Sequence, residues 1–294
     1  MQTLLTSMAD RVMRHTEGFQ PETAVPRLGL AVIGQQSQPE TGSFGPLISV
    51  VLQGAKELVV GDRTLRYEAG ACFCATIELH TSGYVVTASP QKPYVAVNLS
   101  LDQDKLVELL ASLPPLPVSD QATTFGAIPA SRPLLEALDH LIVLLDTPGD
   151  IDVLAQARER EVIYRVLQGA HGVMLWQFAR QQSRLMRVKC AADWITAHFD
   201  QQLRTQHLAE MANMSIPSFH RHFKAATAMT PLQYQKAVRL HAARRMLLEH
   251  TDVAGTAYAV GYESPSQFSR EYARFFCVRP SKEMSDVARV PRVT

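Results

Sequence analysis

Arg221 and Arg270 stand 49 residues apart, at matching places in two similar segments of a 294-residue chain. Around the first, Phe219 and Phe223 are four apart and predict the inward side of a helix. At about 100° per residue, Pro217, His220, Arg221 and Lys224 then lie on the outward side. In the second segment Phe268 and Tyr272 face inward, which turns Ser266, Ser269, Arg270 and Ala273 outward. Such residues read polymers rather than break bonds. A guanidinium takes guanine through two hydrogen bonds, a serine hydroxyl meets several acceptors, and lysine neutralises phosphate.

Other reactive residues fit blander roles. Cys72 and Cys74 alternate on a predicted strand and share one side of it. Accessible thiolates there would sense redox state or electrophiles, whereas a buried pair would be two small core residues, the simpler reading. Glu78 and His80 suggest one corner of a metal site, but no neighbouring His-x-His cluster completes it, so neither metal nor cofactor is expected. No phosphate-cradling Gly loop, nucleophile elbow or paired catalytic carboxylates appear, and no catalytic residue is assigned. His220 and His222 share a helix with Arg and Lys, where DNA-facing polarity outweighs metal binding. Trp176 and Trp194 read as core. Four cysteines without a CxxC pair exclude a disulfide scaffold and a zinc ribbon.

The elements that must position Arg221 and Arg270 follow from the repeat. Each copy reads as a short helix, a tight turn and a second helix opened by Ser and Pro, with Ser as cap and Pro suited to the first turn. This is helix-turn-helix grammar. Thr230 caps a connecting helix that Pro231 begins and that runs to about Leu248. Its length of about 27 Å is comparable to one turn of DNA, about 34 Å, so a rigid spacer would set both reading helices into successive major grooves. Arg239, Arg244 and Arg245 on it either approach phosphates or form a solvated face.

The rest of the chain has another grammar. Leu4 to Met13 predict a short amphipathic helix, and residues 26–101 carry short β-branched runs with a hairpin turn at Gly61-Asp62. Many short strands at close spacing predict a small antiparallel barrel or jelly roll. A helix ends at Pro114-Pro115-Leu116-Pro117, and three more follow at about 132–146, 150–168 and 171–182. The apolar stripe of the helix from Asp152 needs cover, from the barrel or from a second copy of the chain. Lys and Arg number 16 against 9 Asp and Glu in residues 184–294, a balance of +7, while residues 1–183 carry −6. That split suits a carboxy-terminal part that touches a polyanion. The amino end lacks signal-peptide features and the apolar runs are too short to span a membrane, so a cytosolic chain is expected.

These residues resemble the AraC/XylS family of bacterial transcription regulators. The strongest match is Ala257-x3-Gly261-Tyr262-x-Ser264-x2-Gln267-Phe268-x-Arg270-x4-Phe275, followed by Pro280. Ala228 and the Cys277-Val278-Arg279 run depart from it by lacking a usual glycine. Ile48-x-Val50-Val51-Leu52-Gln53-Gly54-x-Lys56, Arg66-Tyr67-x-Ala69-Gly70 and Leu99-x-Leu101-Asp102 are similar to the family's AraC-type amino-terminal, cupin-like sensor domain. The resemblance implies DNA contacts at Pro217, His220 and Arg221 and at Pro265, Ser266, Ser269 and Arg270, with Lys224 added from its outward position. The expected architecture is α+β in two domains. Residues 1–183 form a cupin-like β-barrel with flanking helices for sensing and dimerisation, and residues 184–294 an all-α double helix-turn-helix domain. Expected partners are double-stranded DNA, a small-molecule effector, a second copy as homodimer and, by resemblance, RNA polymerase; activation is also implied by resemblance. Two rivals stand beside this regulator: a cupin-type enzyme with an accessory DNA-binding domain, and an architectural DNA-binding protein without ligand input.

Overall fold

A computed structural model describes residues 1–37, 40–113, 124–179, 184–248 and 252–287; the stretch from Pro114 to Pro117 and residue 183 lie outside these. Alternating apolar residues build two antiparallel sheets. The larger runs in the order β1 (Phe19–Gln20), β2 (Leu28–Ile33), β9 (Tyr94–Ser100), β4 (Leu47–Gln53), β7 (Ala71–Ala75) and β10 (Phe125–Pro129). The smaller runs β3 (Glu40–Phe44), β8 (Leu79–Thr87), β5 (Ala55–Val60) and β6 (Arg63–Glu68). Register shifts at Val51/Gln53 and at Ala55/Lys56 bend the chain out of the first sheet and into the second.

The two sheets remain open and pack face to face, which corrects the expected cupin-like barrel. Closure requires every edge strand to find a ladder partner. β1 is only two residues long. At the other edge β10 approaches β6 through side chains, with the Arg63 guanidinium 4.6 Å from the centre of the Phe125 ring where a ladder would be needed.

Strand alternation decides which core each residue joins. Val51, Phe73 and Ala96 point between the sheets and meet Leu58, Val60, Leu79 and Val85, with Tyr67 stacked on Phe73 at 5.4 Å. Ile48, Val50, Leu52, Cys72, Cys74 and Val97 point the other way, onto helices. The helices of this half are α1 (Gln2–His15), α2 (Gln103–Ala111), α3 (Arg132–Ile142), α4 (Ile151–Leu167) and α5 (Gly172–Ala179). The apolar stripe of α4 is covered within the chain by α3. Cys72 and Cys74 do share a side, and both are buried; burial pushes the Cys72 thiol up to about 12 and Cys74 up as well, so neither supplies a thiolate at neutral pH.

One buried carboxylate ties this half together. Glu159 on α4 accepts from Arg27 Nε at 2.8 Å and from Lys105 Nζ at 3.0 Å, and so joins α4, the start of β2 and α2. The carboxy-terminal part is helical: α6 (Arg184–Ala197), α7 (Thr205–Met211), α8 (Ile216–Thr227), α9 (Pro231–Leu248), α10 (Val253–Ala259), α11 (Pro265–Phe276) and α12 (Pro280–Val287). Thr230 starts α9 in a reciprocal cap: Gln233 N–H donates to Thr230 Oγ1 at 3.3 Å, and Thr230 N–H donates to Gln233 Oε1 at 2.9 Å.

Candidate nucleic-acid interface

The two copies of the repeat are α7–α8 and α10–α11, with α9 as an 18-residue rod between them. Their second helices align at a separation of 49 residues, with Phe219 and Phe223 buried like Phe268 and Tyr272. Their first helices align at 48. Buried Leu208, Ala209 and Ala212 correspond to Thr256, Ala257 and Val260, and the bonds from Met214 N–H to Ala209 O and from Tyr262 N–H to Ala257 O are both 2.9 Å. The second turn is therefore one residue longer.

Arg239 explains the glycine in that turn. Its guanidinium donates to the carbonyls of Phe199 at 2.6 Å, Gln201 at 2.9 Å and Gly261 at 2.8 Å, which straps α9 to the loop after α6 and to the turn of the second copy. Gly261 has φ +84°, and a Cβ there would sit 2.2 Å from the Asp200 carbonyl oxygen. Arg244 is also engaged internally, 2.6 Å from Glu283. Of the three arginines read on this helix as phosphate-near or solvated, Arg239 and Arg244 are structural, and Arg245 is exposed.

On α8, Pro217, His220, Arg221 and Lys224 are all exposed; on α11, Ser266 and Arg270 are exposed, while Pro265, Ser269 and Ala273 are half-buried. Among the described residues neither Arg221 nor Arg270 forms an ion pair. Ser264 caps α11, its Oγ accepting from Gln267 N–H at 3.4 Å, whereas Ser215 occupies the same place on α8 without a side-chain cap bond. Both α8 and α11 end on left-handed non-glycine residues, Ala228 at φ +57° and Cys277 at φ +59°. These are the positions where the expected glycines are absent.

Lys224 is not free. Its Nζ lies 2.8 Å from Asp62 Oδ2, at the tip of the β5–β6 hairpin. Beside it Gly61, at φ +59°, approaches Ala228 so closely that a Cβ would stand 2.1 Å from the Ala228 carbonyl oxygen. Thr124 Oγ1 donates to the Ala226 carbonyl, Arg244 Nη1 to the Thr41 carbonyl at 3.2 Å, and Tyr234 OH to the Glu78 carbonyl at 3.5 Å. A cavity of about 640 Å³ lies along this seam, with His80, Lys236, Glu271, Arg274 and Phe275 in its walls. Sequence reasoning saw Gly61-Asp62 only as a turn and His80 only as a metal candidate, because a local pattern does not say which distant helix a turn or strand will touch. Among the described residues no group of three His, Cys, Asp or Glu could hold a metal ion, and no helix is long and apolar enough to cross a membrane.

The family profile described as AraC-type transcriptional regulator N-terminus matches residues 24–174, and a helix-turn-helix domain profile matches residues 208–285. The chain belongs to the AraC/XylS family. That family is one of DNA-binding transcription regulators rather than of enzymes. It is 28% identical over 149 residues to the HTH-type transcriptional activator RhaS of Salmonella agona (strain SL483), covering 50% of this chain and 52% of RhaS. RhaS of Salmonella schwarzengrund (strain CVM19633) matches to the same extent. The chain thus spans about half the length of the curated relatives it matches. Its fold is similar to that of ToxT from Vibrio cholerae O395, with TM-score 0.54 and 9% identity over 90% of this chain and 99% of ToxT. A second ToxT structure, bound to (E)-4-(8-methylnaphthalen-1-yl)but-3-enoic acid, has TM-score 0.55 and 10% identity over 88% and 99%.

Proposed function

We propose that this AraC/XylS regulator is a sequence-specific transcription activator that reads two adjacent major-groove segments, one with α8 and one with α11. The observation that carries this reading is the pair of helices with exposed arginine-bearing faces, joined by the α9 rod of 18 residues, about 27 Å long. Pro217, His220, Arg221 and Lys224 form the first reading surface, and Pro265, Ser266, Ser269 and Arg270 the second. Residues 1–183 form the sensing unit and residues 184–294 the DNA-binding unit. Activation is carried over from RhaS, and response to a small molecule is supported by the acid-bound ToxT structure. A second copy of the chain and RNA polymerase complete the assembly, and the chain works in the cytoplasm.

Selection of bound duplexes from a random pool, followed by footprinting, tests the reading. Two protected segments about one helical turn apart on one side of the duplex are expected; protection confined to a single segment contradicts the two-helix model. Arg270→Ala is expected to cost about 1–3 kcal/mol at one base position and to relax the preference there. Unchanged discrimination by this variant removes Arg270 from the reading surface.

A further inference from the structure

The seam between the sheet half and the helical half contains two imidazoles, one from each side. His80 on β8 and His241 on α9 stack with ring centres 5.2 Å apart at an interplanar angle of 28°. Tyr234 meets the edge of His80 at 4.9 Å, while Phe275 and Phe276 wall His241 at 5.5 and 5.7 Å. The residues are 3% and 6% exposed, and among the described residues Nδ1 and Nε2 of His80 and Nε2 of His241 have no hydrogen-bond partner. Such orphaned polar atoms are rare in folded proteins, and the arrangement tolerates two neutral rings far better than one charged ring.

We propose that the His80–His241 pair is a proton-operated latch: protonation of either ring parts the sheet face carrying β3 and β8 from α9 and releases Lys224 from Asp62. The charges around the pair favour release. Arg244 and Arg245 on α9 repel a proton on the rings. The Glu283 carboxylate of α12 is engaged by Arg244 and Tyr272. Glu271 of α11 is engaged by Lys236 of α9 at 2.9 Å, Arg274 of α11 adds a further cation to the cavity, and Asp62 of the hairpin is held by Lys224 of α8. From β3, in register with His80, comes the uncharged Ser43. Glu78, next to β8, turns its backbone carbonyl to Tyr234.

The sign follows from linkage. Burial holds His80 down at about 3 and His241 at about 4, against about 6.5 for a solvated ring. The docked seam therefore binds fewer protons than the parted one. Docking is at full strength above about pH 6.5 and weakens as pH falls towards the docked values. At pH 5.5 the docking constant falls about tenfold per ring, and about a hundredfold for both. Phosphate then competes for a Lys224 that Asp62 no longer occupies, so DNA affinity rises with acidification. That last consequence rests on the proposed DNA reading; the parting of the seam does not.

Small-angle scattering on the full chain from pH 7.5 to pH 5.0 tests the latch, with the His80→Phe/His241→Phe double variant beside the wild type. Expansion of the wild type below about pH 6.5, reversed on neutralisation and absent from the double variant, supports it. A wild type that stays compact to pH 5.0, or a double variant that expands equally, overturns it. Ring titration of the wild type by NMR keeps the test decisive should the double variant not fold: proton uptake by both rings coincident with expansion supports the latch, and uptake without expansion overturns it. Expansion without a gain in DNA affinity would leave the latch standing and count against the DNA reading of Lys224 alone.

Discussion

At the residue scale the two left-handed helix ends are the most exposed to improvement. Ala228 and Cys277 occupy equivalent places, yet their surroundings differ. The Ala228 methyl is buried and joins the apolar cluster of the sheets beside Gly61, while Cys277 is exposed. A side chain in the left-handed region costs roughly 1 kcal/mol relative to glycine. Cys277→Gly is accordingly expected to stabilise the helical half by about 1 kcal/mol, seen as a higher denaturant midpoint at constant slope. Ala228→Gly gains the same backbone relief but gives up a buried methyl, worth about 0.8 kcal/mol, and is expected to be nearly neutral. The left-handed turns were foreshadowed in the sequence by missing glycines. The internal duties of Arg239 and Arg244 were not, because an arginine bound to backbone carbonyls has the same helical spacing as one on a solvated face.

At the element scale, periodicity carried what is local. Phe219 with Phe223 and Phe268 with Tyr272 define their helix faces within one turn of helix, so α8 and α11 were legible as helices. The hairpin at Gly61-Asp62 was legible for a similar reason. Barrel closure was not, since it depends on whether strands far apart in the chain meet edge to edge, and a two-residue β1 leaves no signal of that failure. The cover over α4 was equally hidden: an apolar stripe states that a partner exists, and only the packing against α3 identifies it. The same helix carries the Glu159 carboxylate, with Arg27 and Lys105 as its counter-charges. Glu159→Ala removes the partner of Lys105 and leaves Arg27 only Asp102, 4.0 Å away, and is expected to destabilise the amino-terminal half by about 2 kcal/mol, measured as a drop in its unfolding midpoint. A smaller loss from Glu159→Gln than from Glu159→Ala would show that hydrogen bonding supplies part of the effect.

At the scale of the whole molecule, the β5–β6 hairpin meets α8 and the turn after it through Asp62 on Lys224 and Gly61 on Ala228. Gly61 makes the closer approach. Its left-handed backbone penalises a side chain and the nearness of the Ala228 carbonyl excludes one, and the two constraints come from different halves of the chain. Gly61→Ala is expected to cost the sheets about 1 kcal/mol through its backbone alone, and to expand the full chain at neutral pH in scattering. Retention of the compact form by this variant would show that the hairpin yields instead. A single methyl group would thus act as a wedge, prying the sheet half from the helical half at the place where their backbones come nearest.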